Sequence, residues 1–412
     1  MIQSMLGLAA ICAIAALLSE NRRRISPRLV ISAIGLQLVL GFLLLEFQII
    51  RQGFLYLNNL VLVLDKATAD GTAMVFGYLG GAPLPFQESY PGASFVLAFK
   101  SLPIVLVMSA LSAVLFYWKI IPAVVRLFSF ILNRTLKTGG AEGIGISANI
   151  FVGMVEAPLL IKPYLGSMTR SELFTLMTCG MATIAGTVMV LYASILKSAI
   201  PGILGHILTA SIISAPAAIL IAKIMVPETE DVTSGDLGDD EGYKSTMDAV
   251  TKGTVQGVEL LINIVAMIVV LVALVSLVNM ALGLLPGFHG SPLTLQRVLG
   301  WIMAPISWLM GIPWSESITA GSLMGTKTVL NEFIAYLDLS RLPETALSDR
   351  SRIIITYAMC GFANPGSLGI MIGGMGAMVP ARRDEIVALG FRSIVAGTLA
   401  TCMTGAVAGI FL

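Results

Sequence analysis

Two glutamates carry the chemistry that the rest of the chain must position. Glu156 stands in Asn149-Ile150-Phe151-Val152-Gly153-Met154-Val155-Glu156-Ala157-Pro158, an apolar stretch interrupted by a glycine and a proline. Proline removes a backbone donor and glycine loosens the turn, so this stretch does not continue as one helix. Glu332 stands in a second modestly apolar stretch crowded by Gly321, Gly325, Thr326, Lys327, Thr328 and Asn331. A charge within an apolar segment is costly, so it faces a cavity and carries function. Asn364 and Ser367 lie in a third interruption, Gly361-Phe362-Ala363-Asn364-Pro365-Gly366-Ser367. Two carboxylates, an amide and a hydroxyl suit a neutral polyhydroxylated ligand, because carboxylates accept strong bonds from vicinal hydroxyls. Phe362 offers a flat apolar face for a planar ring. The set predicts a solute with a sugar end and a ring end. The competing reading is a pair of protonated glutamates packed against helix ends.

A cation has a candidate set of its own. Asn149, Val152, Thr183 and Ile184 combine an amide, a hydroxyl and the backbone of two interrupted elements, the second being Ala182-Thr183-Ile184-Ala185-Gly186-Thr187. Carbonyls are free to hold an ion only where a helix unwinds. A sodium ion prefers such oxygens. The same small residues would serve equally for close packing of a hairpin on a helix.

Composition says where these residues lie. Of 412 residues, 56% are hydrophobic and 12% charged, with a mean hydropathy of +0.90. Soluble domains carry roughly twice that charge, so the chain is an all-α polytopic membrane protein embedded in the lipid bilayer. A net charge of +1 argues against a nucleic-acid partner. Cys12, Cys179, Cys360 and Cys402 show neither metal-ligand spacing nor a disulfide framework. His206 and His289 are too far apart in sequence to suggest a histidine metal site. An intramembrane enzyme could use Glu156 and Glu332 as acid and base, but no nucleophile, metal cluster or cofactor motif accompanies them. A channel or structural subunit would not need the two carboxylates.

Apolar runs predict about eight spans, at 4–18, 29–47, 93–117, 172–198, 205–226, 254–285, 351–378 and 388–412. The basic cluster Arg22-Arg23-Arg24 follows the first run, an order that suits a membrane helix better than a leader. Residues 48–90 and 291–310 read as amphipathic, interfacial pieces. Residues 120–166 and 315–346 read as re-entrant hairpins. The run 227–250 holds Glu228, Glu230, Asp231, Asp236, Asp239, Asp240, Glu241 and Asp248, an acidic connector. Positive-inside asymmetry places Arg22–Arg24, Arg126, Arg134, Lys137, Arg382 and Arg383 in the cytoplasm and the N-terminus outside. The first hairpin then enters from the cytoplasm and the second from outside. Each is followed by an interrupted span and a further span, which is the pattern of an inverted repeat with a site at the midplane. The expected division is 1–119 scaffold, 120–226 first repeat, 227–253 connector, 254–310 scaffold and 311–412 second repeat. Lys327, at hairpin depth, is expected to pair with a carboxylate. His206 is expected to be a hydrogen-bonded residue at a helix start.

These stretches resemble the concentrative nucleoside transporter family over nearly the whole chain. The resemblance rests on Ala148 to Pro158, Ser167 to Phe174, Gly180 to Thr187, Leu208 to Ala218, Gly325 to Phe333 and Gly361 to Asn364. It implies a bacterial inner-membrane symporter that imports nucleosides as a homotrimer, its transport domain moving elevator-fashion. It implies coupling to sodium in many members and to protons in some. On matching positions, Glu332, Asn364 and Ser367 would bind ribose hydroxyls, and Gly153, Met154, Val155 and Glu156 would lie near the base. Val188 and Phe362 would pack on the ligand, and Asn149, Val152, Thr183 and Ile184 would form the sodium site. Many members have Gln and Thr where this chain has Met154 and Val155, so base discrimination here should differ. A carrier of another polar solute, such as a nucleobase or sugar, remains open on that account.

Overall fold

The computed structural model describes residues 1–88, 94–197, 199–235, 243–287 and 292–412, with backbone alone for 48–52 and 54–61. His289 and the Asp236, Asp239, Asp240 and Glu241 part of the acidic connector lie outside the described residues. Every regular element described is a helix. α1 (Ile2–Leu17) is followed by the arginine turn and by α2 (Pro27–Glu46). Pro27 occupies the first turn of α2, and the Ser26 hydroxyl accepts from Leu29 N, so the chain starts a helix there. α3 (Gln48–Phe76) is a single helix where several interfacial pieces were expected. α4 (Leu97–Lys100) and α5 (Ile104–Tyr117) make the next span, and α6 (Ile120–Leu136) follows.

α7 (Gly140–Asn149) and α8 (Glu156–Leu160) form the first hairpin. The expected hairpin of 120–166 is therefore too long: α6 is a separate amphipathic helix that exposes Leu127 and Phe130 and buries Val125 and Leu132. Left-handed backbone at Lys137 separates α6 from the hairpin. Next come α9 (Arg170–Ala182) and α10 (Gly186–Leu196), parted by Thr183–Ala185, and then α11 (Ile203–Met225). α12 (Thr246–Leu282) runs for 37 residues and α13 (Leu295–Leu309) bends by 119° into the second hairpin, α14 (Trp314–Val329) and α15 (Glu332–Arg341). α16 (Asp349–Met359) and α17 (Pro365–Met378) are parted by Cys360–Asn364, and α18 (Arg383–Phe411) ends the chain. Six described segments are long and apolar enough to cross a membrane: α2, α4–α5, α9–α10, α11, α12 and α18. The expected spans at 4–18 and 351–378 fall on the shorter apolar helix α1 and on the interrupted pair α16–α17. Hairpin, interrupted span and unbroken span thus occur twice in the same order.

Polar contacts sort the helix ends onto two faces, in agreement with the expected topology. Arg170 at the start of α9 and Arg392 in α18 both pair with Glu20 after α1, and Arg392 also donates to the Met225 carbonyl at the end of α11. On the opposite face Ser4 donates to the Met310 carbonyl, and Arg350 donates to the carbonyls of Gly311 and Gly409. The core lies between α9, α11, α16 and α18, where the Ser214 and Thr404 hydroxyls meet at 2.9 Å. α1 packs on α18 and α2 on α11. α12 stands outside this core and packs on α5 through Gly253 and Gly257. A Cβ on Gly253 would lie 2.7 Å from the Ser109 carbonyl, the close backbone approach that small residues permit. At about 1.5 Å per residue, α12 exceeds the hydrocarbon thickness and must tilt or project beyond it.

Candidate functional site

Helix starts made by the two hairpins and the second interrupted span converge on one cleft. Glu332 is the first residue of α15, whose cap is Asn331: its Oδ1 accepts from Ile334 N at 2.9 Å. A carboxylate there is favoured by the orphan amides of the first turn. Asn364 caps α17 by accepting from Ser367 N at 2.8 Å, and Pro365 occupies the first turn. The cap uses the Asn364 oxygen and leaves its Nδ2 to donate to Glu332 Oε2 at 3.0 Å. Tyr192 Oη of α10 donates to Glu332 Oε1 at 2.6 Å. Glu332 is almost fully buried, yet a carboxylate has about four lone-pair positions. Tyr192 and Asn364 take one each, which leaves acceptor capacity for a ligand.

The cleft of about 160 Å³ is bounded by Gly153, Met154, Val155, Glu156, Val188, Glu332, Phe362, Asn364 and Ser367. All nine sequence-derived positions for the solute therefore meet at one place. Glu156 opens α8 and folds back over Gly153, where an added Cβ would lie 2.0 Å from Glu156 Oε2. Glycine is required at 153 for that close approach. Val155 rests on Gly374 of α17 and Met154 on Gly180 of α9, and both side chains are apolar.

Asn149 ends α7 with both side-chain atoms buried and without a hydrogen-bond partner among the described residues. Thr183, in the break between α9 and α10, donates its hydroxyl proton to the Cys179 carbonyl at 2.9 Å and keeps its lone pairs. Gly186 N donates to the Phe151 carbonyl at 3.1 Å, tying the break to the hairpin turn that carries Val152. An added Cβ on Gly186 would lie 2.4 Å from that carbonyl oxygen. A buried amide oxygen without a donor costs free energy, and a hard cation with an appetite for oxygen would relieve that cost. The residues present thus fit a sodium ion.

Lys327 departs from expectation. Its fully buried ammonium donates to the Thr401 hydroxyl at 2.9 Å and the Ala358 carbonyl at 3.3 Å, with no carboxylate at ion-pair distance among the described residues. It bridges α14 to α16 and α18 instead. His206 sits in the first turn of α11 with Nδ1 3.2 Å from Tyr357 Oη, as expected. Sequence reasoning missed Tyr192. Its signal was there: a phenol in an apolar span, four residues after Val188 and so on the same helical face. It also missed a buried ionic network at the start of the first hairpin. Lys223 Nζ lies 3.0 Å from Glu142 Oε1 and 3.1 Å from Glu228 Oε2. Glu172 beside it accepts from Thr169 N and from Thr233 N and Oγ1, closing a capping box on α9.

Comparison with known proteins agrees with this geometry. Residues 206–409 match the family described as "Na+ dependent nucleoside transporter C-terminus", residues 6–79 match its N-terminus, and residues 98–199 match "Nucleoside recognition". The chain belongs to the Na+ dependent nucleoside transporter family. The nucleoside permease NupC of Helicobacter pylori is 37% identical, over 99% of this chain and 97% of its own. The transporter CNTnw in an inward-facing, substrate-bound state is 37% identical with a TM-score of 0.90, covering 100% of this chain and 97% of that one. A double variant of CNTnw in an outward-facing state, also 37% identical, has a TM-score of 0.92 over the same shares. The protein is accordingly a membrane transporter of this family, not an enzyme.

Proposed function

We propose that this nucleoside transporter family member is a sodium-coupled symporter that imports nucleosides across a bacterial inner membrane. The observation that carries the reading is the Glu332 carboxylate, fixed by Tyr192 and Asn364 beside the Ser367 hydroxyl, which has no partner among the described residues. Vicinal ribose hydroxyls can donate to the remaining lone pairs of Glu332, and charge assistance makes those bonds strong. Phe362 and Val188 pack on the rings, and Gly153, Met154, Val155 and Glu156 lie at the base end. Asn149, Val152, Thr183 and Ile184 hold the sodium ion, which supplies the thermodynamic drive when bound. Its site borders the hairpin turn that leads to Glu156, so filling one site orders the other.

The two repeats, α7–α11 with α14–α18, move together as an elevator against α5 and α12. Hydrogen bonds across the repeats support a single moving body, whereas α12 lies outside it. In this reading α1 and α2, which pack on α18 and α11, are assigned to the moving body instead of to a frame of residues 1–119 and 254–310. The chain works as a homotrimer, for which the outward apolar face of α12, including Ile262 and Val269, supplies surface.

The test is uptake of labelled uridine and adenosine by proteoliposomes under a sodium gradient and, separately, under a proton gradient alone. Sodium-driven uptake supports the reading. Uptake with protons alone would remove the sodium site and leave a carboxylate as the coupling group. No uptake of either nucleoside would move the assignment to another polar solute.

A further inference from the structure

The helix that closes the cleft from outside the two repeats carries two amides without a hydrogen-bond partner among the described residues. α12 faces the cleft with Leu260, Asn263, Ile264, Met267 and Leu271. A second cleft adjoins the first and shares Gly153, Glu156, Thr187 and Leu260 with it. Gln256 lines this second cleft, together with Ser109 and Ser112 of α5. Gln256, Leu260, Asn263 and Met267 follow the i, i+4, i+7, i+11 spacing of one helical face. Neither amide has a hydrogen-bond partner among the described residues. An amide on a membrane helix is poorly placed against lipid, so one that lines a cavity is better read as a group awaiting a ligand.

Position along α12 says which part of the ligand each amide meets. Met267 reaches over Gly366, where an added Cβ would lie 2.8 Å from the Met267 terminal methyl, next to the Asn364 that bonds Glu332. That is the sugar end. Leu260 lines both clefts together with Gly153 and Glu156, at the ring end. Asn263 falls between them, about 4.5 Å along the axis from Leu260, and Gln256 lies about 10 Å from Asn263 in the direction of the second cleft. At the ring end the first hairpin offers the Glu156 carboxylate, which only accepts when ionised, and the apolar side chains of Met154 and Val155, with no amide to match both donors and acceptors. A nucleobase carries adjacent donors and acceptors on its edge, and an Asn or Gln amide matches such an edge with one of each.

We propose that Asn263 and Gln256 are base-reading residues, two stations on α12 that exchange the nucleobase between the binding cleft and the adjoining one. This rests on the nucleoside reading above and assigns base discrimination to the stationary helix, not to hairpin residues 154 and 155. The second cleft is then a transit subsite for the same nucleoside, entered past Leu260 and Glu156.

The experiment uses the full chain in proteoliposomes with three labelled ribosides: uridine, adenosine and benzimidazole riboside, whose base is flat but lacks exocyclic polar groups. Asn263→Leu places a good helix former on an apolar helix, and should raise KM for uridine and adenosine about ten-fold, the loss of roughly one hydrogen bond. KM for benzimidazole riboside should move far less. Gln256→Leu should lower the maximal uptake rate for the two natural nucleosides relative to benzimidazole riboside. A uniform change across all three ribosides in either variant, or none, overturns the assignment, since a merely structural role ignores the base edge. Failure of the unmutated chain to take up any riboside would instead sink the nucleoside reading, and this inference with it.

Discussion

Replacement of Glu332 by glutamine tests the sugar end at a single atom. The side chain keeps its size, and the Asn364 and Tyr192 partners at 3.0 and 2.6 Å can persist. Asn364 Nδ2 donates to the new amide oxygen, and the Tyr192 hydroxyl turns to accept from the new amide nitrogen. What disappears is the negative charge and half of the acceptor capacity that faced the ligand. A hydrogen bond to a charged group contributes about 1.5–3 kcal/mol, and a neutral one about half as much. With two ribose hydroxyls engaged, the net loss is about 1.5–3 kcal/mol, which is a rise of about 10- to 150-fold in KM or Kd. The assay compares uridine with 2′,3′-dideoxyuridine, by uptake and by equilibrium binding to the purified protein. Uridine should weaken by that factor in Glu332→Gln, whereas the dideoxy compound, with no vicinal hydroxyls to lose, should be nearly unaffected. Equal weakening of both ligands, or no weakening of uridine, would refute the ribose role. An unchanged thermal transition guards against a simple folding defect, because Glu332 sits on a helix start that Asn331 caps independently.

Other expectations concern the ion, the hidden charges and the moving parts. Asn149→Leu fills its buried place with hydrocarbon, and half-saturating sodium should rise about ten-fold or more, as loss of one ligand oxygen would give; an unchanged sodium curve counts against the site. Glu142→Gln leaves Lys223 with Glu228 alone in a buried setting, so stability should fall by about 3 kcal/mol, read as a lowered unfolding temperature in detergent. The carboxyl of Glu20 is held below the usual carboxylate range, first by its hydrogen bond from Arg170, which outweighs the opposing effect of burial, and further by the Arg170 and Arg392 charges and the Arg392 hydrogen bond. Its contribution is therefore complete above the ordinary carboxylate range and is lost as pH falls through the lowered value. Glu20→Gln should melt slightly below the parent at neutral pH, by about 1 kcal/mol or less, and the gap should close in acid. In a background with Cys12, Cys179, Cys360 and Cys402 replaced by alanine, oxidation of Ser214→Cys with Thr404→Cys should spare uptake, since both lie in the moving body. Oxidation of Met267→Cys with Gly366→Cys should stop uptake until reduced, and persistent uptake in the cross-linked form would contradict movement against α12.

Much of this architecture is legible in the sequence because the membrane leaves few choices. Runs of apolar residues must be helices, and breaks such as Gly153 to Pro158 and Asn364-Pro365 must be covered by protein or a cavity. Element ends were harder. α6 was absorbed into the first hairpin because its apolar face continues the hydropathy of 120–136, and only the left-handed turn at Lys137 shows that the chain changes direction. Residues brought together across the two halves were largely hidden. Tyr192 and Glu332 lie 140 positions apart, and Lys327 reaches Thr401 across 74. Lys327 was expected beside a carboxylate because a buried ammonium usually needs one. The structure satisfies it with a hydroxyl and a carbonyl at the end of α16, where the break at Cys360–Asn364 frees backbone oxygens from the helix ladder.

That break links the binding site to the rigidity of the body around it. The interruption of α16–α17 exposes Asn364 as a cap, and the cap directs its spare amide at Glu332. The same interruption leaves the Ala358 carbonyl for Lys327, which in turn holds Thr401 of α18. Tyr192 brings α10 of the first repeat to the same glutamate, and Ser214 meets Thr404 between α11 and α18. Polar bonds in a water-poor interior are directional and costly to break, so they bind the two repeats into one unit that cannot shear within itself. Toward α12 the unit presents different chemistry, with the Met267 methyl lying over Gly366 and Leu260 lining the same cleft as Gly153. Contacts of that kind are non-directional and can be exchanged for similar ones after a displacement. The chain thus concentrates its directional bonds around Glu332 and between the repeats, and leaves apolar contact toward α12, the distribution that the proposed movement against α12 requires.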